Sequence, residues 1–234
     1  MQLMTVGGPP SCGKTSVILK TLKPIREAGV RVGVVKFDCL SSQDSELFQE
    51  AGIPVLTGIS SNYCPDHYFV TNIEDCFAWG QREKLDMLVS ESAGLCNRCA
   101  PHIRGFLSVC VLDNLSGVNT PRKVGPMLKT ADLVIVTKGD IVSQAEREVF
   151  AYRIRQANAK ARILFVNGIT GQGTWEVSQI WQHAASSESL EDGRMRFSVP
   201  TAVCSYCFGE TRIGEEHQQG TVRKIHIPEP ATKA

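Results

Sequence analysis

The sequence predicts an α/β fold, with a mostly parallel sheet and helices on both of its faces. Short apolar runs alternate with amphipathic segments along most of the chain, a pattern typical of parallel strands joined by helical crossovers. A glycine-containing motif at residues 8–15 directly follows the first apolar run, residues 1–6. The 234 residues are enough for one sizeable α/β domain with some remainder.

The individual elements follow from the spacing of apolar residues. Strands are predicted over residues 1–6, 32–35, 87–89, 107–112, 133–136 and 163–166. Helices are predicted over residues 15–27, 43–51, 123–130, 143–157 and 174–185. Serine and glutamate then become frequent, and a short cysteine-containing segment precedes a proline-rich end. We therefore expect one domain over residues 1–185 and a linker with a small extension over residues 186–234.

The motif at residues 8–15, GPPSCGKT, fits the phosphate-loop pattern G-x-x-x-x-G-K-[ST] between a strand and a helix. Its glycines let backbone N–H groups point at phosphate oxygens. Lys14 would reach the β- and γ-phosphates, Thr15 would bind Mg²⁺, and the helix start adds partial positive charge. The predicted nucleotide-binding residues here are Gly8, Ser11, Cys12, Gly13, Lys14, Thr15 and Ser16. A chance Gly/Pro turn is the alternative, but the complete motif in this context predicts nucleoside-triphosphate binding.

The composition excludes several other classes of function. Hydrophobic residues make up 42% and charged residues 21%, which is ordinary for a globular protein. The net charge is +1 without a long basic run, so neither nucleic acid nor an anionic membrane is expected as a partner. The phosphate loop begins too early for a signal peptide, and no apolar run approaches the roughly 20 residues that span a bilayer. We expect a cytoplasmic protein.

A second nucleotide motif, T-K-G-D at residues 137–140, follows a predicted buried strand. The carboxylate of Asp140 can accept two hydrogen bonds from N1 and N2 of guanine, and adenine has no such donors. The aliphatic stem of Lys138 can lie flat on the base. With Thr137 at the end of the strand, this motif predicts GTP rather than ATP as the nucleotide.

Several motifs occur in the order found in one family. They are D-M-L-V-S-E-S-A-G at residues 86–94, P-R-K-V-G-P at residues 121–126 leading into T-K-G-D, and N-G-I-T-G-Q-G at residues 167–173. Over roughly residues 1–185 the chain resembles the nickel-insertion GTPases of urease and hydrogenase maturation. It departs from them where Thr137 replaces the usual Asn, and where Asp66 separates Cys-Pro from His67.

The resemblance implies roles for further residues. Asp38 would lie in the first switch near Mg²⁺, and Glu91 in the second switch near the metal or the attacking water. Lys14 would act with them in hydrolysis, and Asn167 would belong to the nucleotide-binding loop. The implied cofactors are GTP and Mg²⁺, and both Asp38 and Glu91 follow or end predicted strands, where a phosphate-bound ion needs oxygen ligands.

Nine cysteines are many for a chain in a reducing compartment and favour metal binding over disulfides. Cys76 and Cys110 lie in apolar stretches and are expected in the core. Cys64-Pro-Asp-His67 stands where the related chaperones carry a metal motif, and it would need a symmetry mate to complete a Ni²⁺ or Zn²⁺ site. Two C-x-x-C pairs add thiolates for a transition metal or an iron–sulfur cluster; they are Cys96 with Cys99, and Cys204 with Cys207. These pairs form either one site within a chain or separate sites with their copies in a dimer.

The leading hypothesis is a GTP-hydrolysing metallochaperone or metallocentre-assembly protein. Nucleotide or metal would control a homodimer, and hydrolysis would release a metal or metal cofactor to a client apo-metalloenzyme. Two alternatives remain: a phosphotransferase acting on a small molecule, and a nucleotide-gated interaction module with structural zinc. The T-K-G-D and E-S-A-G motifs favour the GTPase.

Overall fold

The computed structural model describes residues 1–40, 44–219 and 223–228. Seven strands form one parallel sheet: β1 (Gln2–Gly7), β2 (Val32–Asp38), β3 (Val55–Ile59), β4 (Met87–Ser92), β5 (Leu107–Asp113), β6 (Leu133–Thr137) and β7 (Arg162–Val166). Their order across the sheet is β3-β2-β4-β1-β5-β6-β7. The predicted parallel α/β fold is confirmed. The first residue of the predicted 43–51 helix and parts of the predicted extension, residues 220–222 and 229–234, lie outside the described residues.

Within the described residues, seven helices connect or follow the strands: α1 (Lys14–Glu27), α2 (Asp44–Glu50), α3 (Pro65–Arg82), α4 (Thr120–Lys123), α5 (Pro126–Lys129), α6 (Gln144–Ala157) and α7 (Thr174–Gln182). Ser143 starts α6 in a capping box with Glu146, which satisfies two backbone donors at the helix start. The predicted 123–130 helix is divided into α4 and α5, because Gly125 between them has a φ of 63°. Within the described ranges, no helix is long and apolar enough to cross a membrane.

The sequence analysis did not predict β3 or α3. The β3 run is short and contains Gly58, which weakens a strand pattern. Helix α3 begins with Pro65 in its first turn, a position that suits proline because the missing N–H has no partner there anyway. Cys64 is therefore the residue that caps a long helix, and His67 lies in its first turn.

Different helices cover the two faces of the sheet, because successive strand residues point to opposite sides. On one face, α1, α2 and α7 bury side chains such as Ile18, Phe48 and Trp181. On the other face, α3 buries Phe69 over the β2 and β4 half, and α6 buries Phe150 over β5 and β6. The carboxyl ends of the strands remain free, and this is the edge where ligands of parallel sheets collect.

The residues after α7 pack back onto the α3 face of the sheet. Leu190, Met195, Ile213 and Ile225 are buried in the same apolar cluster as the residues of α3. Arg196 attaches this segment to the loops around β5. Its guanidinium donates to both carboxylate oxygens of Asp132, each at 2.7 Å, and to the carbonyls of Ile103, Phe106 and Thr130.

We expect Arg196→Met to lower the free energy of unfolding by about 2 kcal/mol, because hydrogen bonds to charged groups contribute about 1.5–3 kcal/mol. Urea unfolding measures the loss. The matched control is Arg155→Met at an exposed position near the end of α6, which should change the value by less than about 0.5 kcal/mol. Equal losses in the two variants would contradict the role assigned to Arg196.

Candidate nucleotide and metal sites

The loop between β1 and α1 surrounds a cavity of about 360 Å³. Ser11, Gly13, Lys14, Thr15 and Ser16 line it. Ser11 and Gly13 have positive φ values of 59° and 90°, which curl the loop so that its N–H groups converge on an anion. The Lys14 ammonium is buried and donates to the carbonyls of Gly8 at 3.0 Å and Pro9 at 3.1 Å. Lys14 is thus held over the loop, within reach of phosphates bound in it.

The register of the sheet brings three charged side chains to the edge of this cavity. Lys36 on β2 is the parallel partner of Glu91 on β4, and Glu91 is also the partner of Val6, which precedes the phosphate loop. The Lys36 ammonium lies 3.1 Å from Glu91 Oε1, 2.8 Å from Asp44 Oδ2 and 3.8 Å from Asp38 Oδ2. One buried cation therefore lies between three carboxylates, which are near the ends of β2 and β4 and at the start of α2, and it offsets part of their mutual repulsion.

Two of these carboxylates, Glu91 and Asp44, also contact Thr15 of the phosphate loop. The Thr15 hydroxyl lies 2.9 Å from Glu91 Oε1 and 3.0 Å from Asp44 Oδ2. Glu91 is 2% exposed, and its second oxygen, Oε2, has no hydrogen-bond partner within the described residues. A threonine hydroxyl with carboxylate oxygens, one of them buried and unpaired, is the oxygen donor set that Mg²⁺ prefers. The residues present fit a Mg²⁺ ion.

The electrostatics of this group depend on Lys36. Burial by itself would lower the pKa of Lys36, but the carboxylates of Glu91 and Asp44 outweigh it and raise the pKa. Burial would likewise raise the pKa of Asp44, and the hydrogen bond from Lys36 reverses this and lowers the pKa. Lys36 stays protonated and Asp44 ionised at neutral pH, so the cluster is a fixed set of charges.

The residues predicted to bind the base follow the neighbouring strands β6 and β7. Thr137 is paired with Val166 in the sheet, so the loops that start at Lys138 and Asn167 are neighbours. Asp140 is exposed on a 3₁₀ turn, Gly139–Ile141, and its carboxylate is free to meet a ligand. Gly168 lies against Ser16, which brings this loop to the start of α1.

Other residues of the T-K-G-D region have internal partners. The Thr137 hydroxyl is buried and donates to the carbonyl of Cys12 at 2.7 Å, so it helps to fix the position of the phosphate loop. The Lys138 ammonium pairs with Asp113 and donates to the carbonyl of Ser11 at 3.2 Å. The side-chain oxygen Oδ1 of Asn167 accepts from the backbone N–H groups of Ile169 and Thr170. Asn167 therefore shapes its own loop.

A second polar cluster begins immediately after β4. One ligand atom each from Asp66, Cys96 and Cys99 lies within 4.8 Å of the other two. Asp66 is 5% exposed, and the Ser92 hydroxyl donates to it at 3.3 Å. Burial raises the pKa of Asp66 to about 6, although the bond from Ser92 opposes the shift. The cluster thus joins the first turn of α3 to the first C-x-x-C motif.

The remaining predicted metal ligands surround the same place. A cavity of about 30 Å³ is lined by Cys64, Cys99, Cys204 and Cys207, together with Asp66. His67 Nδ1 lies 3.4 Å from the Cys207 sulfur. Burial and the charge of nearby Asp66 raise the pKa of Cys64 to about 11, and burial with neighbouring Cys64 raises the pKa of Cys207 to about 12. Such thiols stay protonated until a metal displaces the proton.

Cys76 and Cys110 are fully buried, as expected from their apolar neighbours.

The two clusters are linked through Gly94. A Cβ atom on Gly94 would lie 1.7 Å from the carbonyl oxygen of Gly8, and Gly94 has a φ of 67°. Only glycine allows this approach, so the chain between Glu91 and Cys96 lies directly on the phosphate loop. Ala93 and Leu95 in this chain line the nucleotide cavity.

A parallel sheet with a phosphate loop between its first strand and first helix defines a P-loop nucleotide-binding protein. Residues 2–165 match the family model described as "CobW/HypB/UreG, nucleotide-binding domain". The chain belongs to the CobW/HypB/UreG family. The predicted resemblance to the GTPases of urease and hydrogenase maturation is thereby confirmed. Membership in this family of P-loop GTPases classes the chain among nucleoside-triphosphate hydrolases.

Individual relatives agree with this membership. The chain is 44% identical over 225 residues to the uncharacterized protein MJ0120 of Methanocaldococcus jannaschii, with 96% of both chains covered. It is 26% identical over 193 residues to the urease accessory protein UreG of Haloquadratum walsbyi, covering 75% of this chain and 91% of the relative.

Solved structures of the hydrogenase maturation factor HypB share the fold. The Archaeoglobus fulgidus protein has a TM-score of 0.62 and 20% identity, covering 78% of this chain and 89% of that one. The Helicobacter pylori protein, solved in complex with nickel, has a TM-score of 0.62 and 19% identity, covering 77% and 85%.

The sequence analysis missed Lys36, Asp44, Asp66 and Asp113 as members of these sites. Lys36 lies two residues before Asp38 on the same strand, and side chains at this spacing share one face. This two-residue spacing is visible in the sequence. Asp44, Asp66 and Asp113 reach their partners only through the tertiary fold, so no local pattern distinguishes them from solvated carboxylates.

We expect Lys36→Met to lower the free energy of unfolding by about 3 kcal/mol in magnesium-free buffer, because it leaves the Glu91 charge buried without a partner. Thermal and urea unfolding measure the loss, which added Mg²⁺ should partly reverse. The exposed Lys129→Met is the matched control. The double variant Lys36→Met/Glu91→Gln should regain stability, and a loss no larger than that of the control would contradict this electrostatic role.

Proposed function

We propose that this chain is a GTP-hydrolysing metallochaperone, which couples its nucleotide state to delivery of a metal or metal cofactor to a client metalloenzyme. The proposal builds on the family membership and on the position of the cysteine cluster. Residues 1–185 would form the GTPase domain, and the extension from residue 186 would carry the second C-x-x-C motif.

The observation that carries the proposal is the short chain between Glu91 and Cys96. It starts at a carboxylate bonded to Thr15, crosses the Gly8 carbonyl at Gly94, and ends at a candidate metal ligand. A second connection runs in parallel, since Ser92 bonds to Asp66 of the metal cluster. A displacement of this chain by the γ-phosphate would move the cysteine cluster, as expected for a switch segment.

In the proposed reaction, Lys14 and the loop N–H groups bind the β- and γ-phosphates and stabilise the charge that develops there. Thr15, Asp38 and Glu91 would hold Mg²⁺, which neutralises phosphate charge when bound. Lys36, which lies 3.8 Å from Asp38 and 3.1 Å from Glu91, holds both carboxylates close together. Glu91 Oε2, buried and unpaired, is available to a metal-bound or attacking water.

Guanine recognition is assigned to the β6 and β7 loops. The exposed carboxylate of Asp140 would accept from N1 and N2 of the base. The Lys138 stem, held by the ion pair with Asp113, would support the ring, and the loop shaped by Asn167 would close the other side.

Exposed apolar side chains support a homodimer formed over the nucleotide edge. Leu40, Leu95, Leu115, Ile141 and Ile169 follow the ends of different strands, and each is between 52% and 85% exposed. Apolar groups gathered at one edge indicate a surface that is covered in the functional state. The proposed partners are a second copy of this chain and the client apo-metalloenzyme.

We expect Asp140→Asn to weaken GTP binding roughly tenfold or more, because a charged hydrogen bond contributes about 1.5–3 kcal/mol. Xanthosine triphosphate, whose C2 oxygen needs a donor, should bind the variant better than GTP. Competition against a fluorescent nucleotide measures both affinities. Asp192→Asn, in the C-terminal segment, is the control and should leave the GTP affinity unchanged. Equal affinity of the wild-type chain for ATP and GTP would refute the guanine assignment.

The metallochaperone hypothesis itself predicts that metal affinity depends on the nucleotide. We expect the Zn²⁺ affinity of the chain bound to GDP to differ roughly 5- to 150-fold from that of its complex with a non-hydrolysable GTP analogue. Cys96→Ser/Cys99→Ser should abolish the difference, whereas Cys39→Ser should keep it. Lys14→Ala, which loses the phosphate contact, should show one affinity with either nucleotide. The same Zn²⁺ affinity in both nucleotide states of the wild-type chain would exclude coupled delivery.

A further inference from the structure

Three distant parts of the chain supply metal ligands to one small space. The first is the start of α3, with Cys64, Asp66 and His67; the second is the C-x-x-C motif after β4; the third is the C-x-x-C motif of the C-terminal segment. All belong to the same chain, and the cavity that they share is only about 30 Å³.

The spacing of the first ligands fits one metal ion. Two sulfurs bound to the same zinc at about 2.3 Å each lie at most about 4.6 Å apart. The ligand atoms of Asp66, Cys96 and Cys99 lie within 4.8 Å of one another, so a small inward shift brings all three to the shorter separations of a tetrahedral site. The thiolates of a [4Fe–4S] cluster each bind a different iron atom and are therefore more widely separated. Three ligands at this spacing leave a tetrahedral ion one position short.

The C-terminal C-x-x-C motif is placed to supply the missing ligand. Cys204 and Cys207 line the same small cavity as Cys99. His67 lies 3.4 Å from the Cys207 sulfur, where its N–H can orient a bound thiolate. Arg98, between the two cysteines of the first motif, donates to the carbonyl of Val203 at 3.1 Å. The two motifs are thus already joined by a hydrogen bond.

We infer that one chain binds one thiophilic metal ion through Asp66, Cys96 and Cys99 and a cysteine of the C-terminal C-x-x-C motif. The ion fastens the C-terminal segment to the chain that follows the nucleotide-sensing Glu91. This inference rests on the metal-carrying part of the proposed function and specifies its site. It differs from a site that two copies of Cys64 and His67 share across a dimer axis, because no second chain is needed.

The inference has a structural consequence for the C-terminal segment. The C-terminal segment should open less often when the ion is bound, because an ion that binds only the closed form stabilises that form by mass action. Binding of the ion should therefore protect residues 197–210 from proteolysis, and its release should expose them. We therefore expect the ion to be released at the same time as this segment becomes exposed.

The test is a titration of the reduced, metal-free full-length chain with Zn²⁺ against a chromophoric chelator, in the absence of nucleotide. Light scattering gives the mass of each species, and Co²⁺ substitution reports the number of bound thiolates from its thiolate absorption. We expect one Zn²⁺ per chain at monomer mass, with at least three thiolates in the Co²⁺ spectrum. Limited proteolysis should show slower cleavage within residues 197–210 when Zn²⁺ is present.

Variants separate the contributions of the two motifs. Cys204→Ser/Cys207→Ser and Cys96→Ser/Cys99→Ser should each weaken Zn²⁺ roughly 100-fold or more, since loss of a second-shell partner alone costs about 10–100-fold. Cys39→Ser, whose sulfur contacts the Ser61 carbonyl, is the matched control and should bind Zn²⁺ like the wild type. Retained nucleotide binding shows that each variant is folded.

Three results would overturn the inference: one Zn²⁺ per two chains found only in a dimer, wild-type affinity in Cys204→Ser/Cys207→Ser, or iron with inorganic sulfide in anaerobically purified protein that takes up no Zn²⁺. Failure of the proposed function looks different. One Zn²⁺ per chain, bound with equal affinity in the GDP and GTP-analogue states, would support this site and exclude coupled delivery.

Discussion

The contact between Gly94 and the carbonyl of Gly8 is the constraint on which both sites depend. It places the backbone after β4 directly on the phosphate loop, at a distance that no Cβ atom would permit. Movement of the loop toward this backbone would therefore force the backbone to move with it. Because interiors are closely packed, such a contact transmits a displacement rather than absorbing it. Glu91 lies before the contact and Cys96 after it.

The charges near this contact would be unfavourable without Lys36. Asp38, Asp44 and Glu91 converge on Lys36, and without this lysine like charges so close together would repel one another. A lysine in register with Glu91 on the adjacent strand removes most of that cost. The carboxylates are therefore already gathered around one cation before any divalent ion arrives. When Mg²⁺ binds the same oxygens, it adds to a cluster whose geometry the sheet has already fixed.

How well each part of the molecule could be predicted depends on how far apart in sequence its interacting residues lie. The phosphate loop, the capped helix α6 and six of the strands follow from local patterns, because neighbouring residues determine them. Helix α3 was missed because its first turn, with Cys64, Pro65 and His67, resembles an irregular metal-binding loop. The meeting of both C-x-x-C motifs was only one of two open alternatives, since about a hundred residues separate Cys99 from Cys204. Lys36 could have been found from strand periodicity, whereas Asp66 could not, because only the packing of α3 against β4 brings it to Ser92.

The attachment of the C-terminal segment has two parts of different strength. Around Met195 and Arg196 the segment is held by buried apolar contacts and by the paired guanidinium, which do not depend on any ligand. Around Cys204 and Cys207 the segment has half-buried side chains, and Arg98 provides one exposed hydrogen bond. The entropy cost of closing a loop grows with the number of residues in it, so a short loop that starts at a fixed residue costs little to close. The attachment at Arg196 therefore keeps the second C-x-x-C motif close to the first, at high effective concentration. The metal then has to order only the few residues around Cys204 and Cys207.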